Sequence, residues 1–69
     1  MGTVPARRLA LRLHRVAAGL SREALAHKIG RSASFIHTLE NGKHRGPISD
    51  LDWFRIAAAL GVDRADIEE

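Results

Sequence analysis

The sequence predicts an all-α fold, a compact bundle of short helices. Three observations carry that prediction. Ala, Leu and Arg, all good helix formers, are abundant. β-branched residues are few and show no sustained alternation of apolar and polar positions, which argues against strands. Apolar residues instead recur at helical spacing in segments closed by Gly19, Gly30, Gly42 and Gly61. At 69 residues the chain is one small domain, near the size at which a single core is marginal. It has no cysteine, so neither a disulfide nor a thiolate zinc site can staple it. His14, His27, His37 and His44 are scattered without ligand spacing, and no metal site or cofactor is expected. Stability must come from helix packing.

Helix 1 is expected from about Pro5 to Ala18. Proline suits a first helical position, where its missing N–H has no partner to lose. Leu9, Leu13, Val16 and Ala17 form an apolar stripe at helical spacing, the expected inward face. Helix 2 is expected from Arg22 to Ile29, with Ser21 as its N-cap and Glu23 in the first turn, where the helix dipole favours an anion. Leu25, Ala26 and Ile29 face inward, and Gly30 stands where a left-handed residue ends the helix. Helix 3 is expected from Ala33 to Asn41, capped by Ser32 and closed by Gly42. Ile36 and Leu39 point to the core; Ser34, His37, Thr38 and Asn41 lie on the opposite side. Lys43-His44-Arg45-Gly46-Pro47 is a basic loop with few helix formers. Helix 4 is expected from Asp50 to Leu60, with Ser49 and Asp52 as a capping box. Its stripe is Leu51, Phe54, Ala57 and Leu60, with Trp53 and Ile56 on the edges. Asp63 to Asp66 repeats the capping pattern and opens a last turn that carries Ile67.

The formal net charge is +3, and its distribution is uneven. Up to Arg45 there are nine Lys/Arg against two acids; from Gly46 onward there are two against six. One face for a polyanion and another turned away would produce this split, and so would a solubilising surface. No run of about 18 apolar residues is present, so no transmembrane helix is expected. Arginines interrupt any signal-peptide core at the N-terminus. These features fit a reducing cytoplasm, bacterial or that of a phage host.

Ser21 to Gly42 carries the functional signal. It reads as two short helices around a tight glycine turn, with small polar residues outward on the second, as in a helix-turn-helix that offers its second helix to a DNA groove. The arrangement resembles the Cro/phage-repressor (XRE) family of helix-turn-helix domains over Leu9 to Ile67. The resemblance rests on Gly19-Leu20, Leu25-Ala26, Gly30, Ile36, Leu39-Glu40-Asn41-Gly42-Lys43 and Ala59-Leu60-Gly61-Val62. It implies five short helices in a lambda-repressor-like bundle. It also implies that helix 3 enters the major groove of double-stranded DNA, and that the protein is a transcriptional regulator, a repressor rather than an activator.

Residue by residue, Ser34 and Thr38 have hydroxyls that read base edges, and His37 donates or accepts according to tautomer. Ala33 offers an apolar contact. The alternative for each is a solvated helix face. Phe35 either completes the core or stacks at the groove wall. Arg22, Arg31, Lys43, His44 and Arg45 are the phosphate candidates, with Arg45 also able to enter a minor groove. Where the family commonly has Gln after the helix 2 cap, this chain has Arg22; a guanidinium makes the same contact with a charge and a fork added. The connection after Gly42 is about one residue longer than the family's pattern. Glu40 sits in the last turn of helix 3, where the dipole disfavours an anion, and the resemblance sets Arg15 opposite it as a structural ion pair.

Three other readings stand beside this one. No phosphate loop, carboxylate pair or nucleophile–base arrangement suggests an enzyme, and no small-molecule ligand is evident. Arg7 to Leu20 is a basic amphipathic stretch of the kind that lies on anionic lipid, but its stripe is expected to be used in the core. Trp53 and the acidic Asp63, Asp66, Glu68 and Glu69 would serve a protein-interaction module such as an antitoxin or adaptor, or Trp53 covers the core edge. One such domain makes few base contacts, so a homodimer on a palindromic site is expected. The chain stops soon after Asp63, so a DNA-binding fragment of a longer protein is also an expectation.

Overall fold

The computed structural model describes residues 6–44 and 47–67. Pro5, Arg45, Gly46, Glu68 and Glu69 therefore lie outside the described residues. Four α-helices follow one another: α1 (Ala6–Ala17), α2 (Arg22–Ile29), α3 (Ala33–Glu40) and α4 (Asp50–Leu60), and then a single 3₁₀ turn at Arg64–Asp66. The described residues contain no strand.

The starts of α2, α3 and α4 are set by serines in extended conformation. Ser21 Oγ accepts from Ala24 N–H, Ser32 Oγ from Phe35 N–H and Ser49 Oγ from Asp52 N–H. Each satisfies a donor that the helix itself leaves free. Gly30 ends α2 at φ 73°, and its N–H and that of Arg31 return to the His27 and Ala26 carbonyls. A Cβ at Gly30 would meet nothing within 4 Å, so the position demands glycine for its backbone angle and not for space. α3 ends at Glu40, one residue earlier than the sequence suggests: Asn41 is its cap, and Lys43 N–H closes the end on the Thr38 carbonyl at 2.9 Å.

The fifth helix implied by the family resemblance is replaced here by the 3₁₀ turn. Asp63 N–H donates to Asp66 Oδ2 at 3.2 Å, and Ile67 N–H donates to the Arg64 carbonyl. Three residues of turn suffice to bury Ile67 completely, as a member of the core.

Leu11, Leu25, Ile29, Ile36, Leu39, Ile56 and Ile67 form that core, with Ala26, Ala57 and Trp53. α2 packs against both α3 and α4, and α1 lies on α3 and on the 3₁₀ turn. Two expected stripes are out of phase. On α1, Leu9, Leu13 and Val16 are exposed, Leu13 at 66%, and Ala17 is exposed too, whereas Leu11 and Arg15 are buried. Leu11 and Arg15 are four residues apart and share a face. The charge of Arg15 has its partner inside, on α3, and that partner fixes the rotation of α1 against the pull of its apolar stripe. On α4, Leu51 and Phe54 are exposed and Leu60 only half-buried, while Asp52, Trp53, Ile56 and Ala57 face inward. Again a charged side chain, Asp52, turns inward with the buried face. Trp53, 5% exposed, belongs to the core and offers no surface to a partner.

Candidate nucleic-acid interface

α3 carries the face in question. Its inner side is Ile36, Leu39 and Glu40, all buried. On its outer side Ser34 and His37 are exposed, and Ala33, Phe35, Thr38 and Asn41 are half-buried. The four base-reading candidates, Ala33, Ser34, His37 and Thr38, thus share one accessible surface.

Two of them are already engaged locally. Thr38 Oγ1 donates to the Phe35 carbonyl at 3.0 Å. With its single proton used, the hydroxyl is left to accept, so the base groups it suits are the amino donors of adenine and cytosine. His37 is met by Asn41, whose Nδ2 lies 3.2 Å from ring Nε2 and donates to the His37 carbonyl at 2.9 Å. Asn41 therefore belongs to this surface. The sequence placed it on the correct side but gave no sign that it orients the imidazole.

The flanking arginines are held from behind. Arg15 Nε donates to Glu40 Oε2 at 2.5 Å and Nη2 to Oε1 at 3.2 Å, while Nη1 donates to the Leu20 carbonyl at 2.8 Å. Glu40 is thereby tied both to α1 and to the α1–α2 turn. Arg22 shares the same carboxylate, its Nε donating to Oε1 at 3.1 Å. One buried acid thus serves two arginines, one internal and one half-exposed at the start of α2.

Arg31 is more constrained than a solvated cation. Nε and Nη2 form a fork on Asp52 of α4, at 3.2 and 2.5 Å, and the guanidinium lies 4.5 Å above the Phe35 ring. His44 meets Phe35 edge-on, with ring centroids 5.4 Å apart. Phe35 so packs partly on the core and partly between two residues of the basic rim. The Arg31 fork holds the Asp52 carboxyl below its usual range, against the opposing effect of burial; the Ser49 hydroxyl and the nearby positive charges of Arg31 and Arg55 add to it. The same bond raises the Arg31 pKa further above its ordinary value. Nothing in the sequence marks this bridge, because Arg31 and Asp52 stand 21 residues apart.

Lys43 is exposed and His44 half-buried at the C-terminal end of α3. Arg22, Arg31, Lys43 and His44 thus border both ends of the α3 outer face; Arg45 is not described.

A capped helix, a left-handed glycine and a second capped helix with a polar outer face define a helix-turn-helix. A family model described as a helix-turn-helix domain matches residues 8–69. The chain belongs to that family. Among solved structures it is similar to the restriction-modification controller protein C.AhdI from Aeromonas hydrophila, at 30% identity and a TM-score of 0.78 over 88% of this chain and 89% of that one. No curated protein sequence matches it.

Proposed function

We propose that this protein is a sequence-specific, double-stranded DNA-binding transcriptional regulator of the Cro/phage-repressor kind. It lays α3 in the major groove and acts as a repressor in the cytoplasm of a bacterial cell. Its role is binding, not catalysis. The observation that carries this reading is the outer face of α3: Ser34, His37 and Thr38 on one accessible surface, bordered at both ends by basic residues and backed by a fully packed core. Similarity to a restriction-modification controller supports a regulatory role.

A homodimer on a palindromic site fits the sparse reading face, because three or four base contacts at about 1–3 kcal/mol each leave little specificity to one domain. The outer side of α4 suits self-association. Leu51 and Phe54 are exposed, Phe54 at 67%, and Phe54 borders a concavity of about 300 Å³ lined also by Ala57, Ala58, Val62, Asp63 and Arg64. A projecting aromatic next to a hollow on one surface is self-complementary across a two-fold axis.

Binding of labelled duplexes by single-site variants tests the reading. Ser34→Ala and Thr38→Ala should relax preference at one or two base positions. Arg22→Ala should weaken all sequences alike and flatten the salt dependence by about 1. Uniform loss from the Ser34 and Thr38 changes would contradict a base-reading role.

A further inference from the structure

Asp52 presents a paradox for a protein that binds a polyanion. It is a carboxylate, 6% exposed, placed directly behind Arg31 at the edge of the candidate interface. Taken by its charge alone, it should oppose DNA binding. We infer that Asp52 is a positioning residue for DNA: it fixes Arg31 so that the free end of the guanidinium faces a phosphate. This rests on the proposed DNA-binding role.

The geometry is specific. Asp52 takes Nε and Nη2 of Arg31, and the Phe35 ring supports the plane of the guanidinium from one side. Among the described residues Nη1 has no hydrogen-bond partner, and the Arg31 side chain is 46% exposed. An arginine so held has lost its rotamer freedom before DNA arrives, so the ordering cost that an ordinary surface arginine bears on binding is largely removed. Asp52 is itself set by the start of α4, where Ser49 Oγ accepts from its N–H at 3.1 Å. The bridge therefore fixes the α2–α3 turn and the first turn of α3 to α4, a different element. Arg31 immediately precedes Ser32, the cap of α3.

The test turns on a sign. Asp52→Asn removes one negative charge beside the interface, so electrostatics alone predict tighter binding and an unchanged or steeper salt dependence. Positioning predicts the reverse: affinity for a mixed-sequence duplex falls about threefold or more near physiological salt, and the slope of log K against log salt falls by about 1. A merely structural role would change the melting temperature and leave the slope unmoved. Arg31→Lys provides a second arm should Asp52→Asn not fold. Lysine keeps the charge but can neither fork on Asp52 nor lie flat on Phe35, so charge alone predicts unchanged binding and positioning predicts loss. Equal or tighter binding by Asp52→Asn, or by Arg31→Lys, overturns the inference while wild-type binding stands. Failure of the wild-type protein to bind duplex DNA overturns both the inference and the function it rests on.

Discussion

At the scale of single residues, a few buried charges decide more than the apolar side chains around them. Glu40 is 3% exposed and bonded by two arginines, and removing its charge leaves the buried Arg15 without a counter-charge. Glu40→Gln should cost about 3–5 kcal/mol. That is a large part of what so small a domain has, and calorimetry should show a sharply lower Tm. An unchanged Tm would mean the pair is not structural. Arg22→Ala should be far milder in stability, because Arg22 is half-exposed and Glu40 keeps Arg15. Thr38 makes a finer case. Its hydroxyl proton is committed to the Phe35 carbonyl, so Thr38→Val, which keeps the shape and loses the acceptor, should reduce preference for adenine or cytosine at one position while leaving contacts with thymine methyls. Comparing bound sequences of the two proteins measures this.

At the scale of elements, the helix-turn-helix was legible in the sequence and the rotation of its neighbours was not. The bounds of α2 and α4 follow from Ser21, Gly30, Ser49 and Gly61, because caps and left-handed glycines act locally and leave a local signature. The inward faces of α1 and α4 do not follow, because they depend on partners far along the chain. Arg15 answers to Glu40, 25 residues away, a pair that the family resemblance implies but periodicity does not, and Asp52 answers to Arg31, 21 away. In both helices the charged residue turns inward, and Leu9, Leu13, Phe54 and Leu51 are left outside. Periodicity alone ranks those leucines above an arginine, and that ranking fails wherever an ion pair is the reason for the contact. For the site, the outer face of α3 could be read from spacing, whereas the partners of Arg31, Phe35 and His44 could not. The turn itself offers a clean check. Gly30→Ala adds a Cβ that meets nothing within 4 Å, so its whole cost is the left-handed backbone, about 1–2 kcal/mol. A fall in Tm of that size, with DNA preference unchanged, is expected; no fall would mean the turn relaxes to another conformation.

At the scale of the molecule, the acidic and basic halves of the chain are joined and not segregated. The acid-rich end contributes Asp52 to the basic rim of the interface, and Asp50 of α4 pairs with Arg64 of the 3₁₀ turn. The fold should therefore be acid-sensitive in a defined window. Asp52 has its pKa lowered in the folded state. Its contribution is present above the ordinary aspartate range near pH 4 and is lost as pH falls through the lowered value. Chemical denaturation as a function of pH should show wild-type stability declining below about pH 4 more steeply than that of Asp52→Asn. Equal slopes would indicate that Asp52 is not shifted. Self-association through α4 is a property of this scale too. Phe54→Ser should lower the sedimentation-equilibrium mass of any dimer without loss of helix content, since Phe54 lies outside the core.

The central claim is that α3 and its basic rim read duplex DNA. Enrichment of random duplexes on the purified protein tests it most directly. The account predicts a recovered site with two inverted halves about one helical turn apart, whose preferred bases shift when Ser34 or Thr38 is replaced. Recovery of no site, or of one whose preference is indifferent to every α3 substitution, would contradict it.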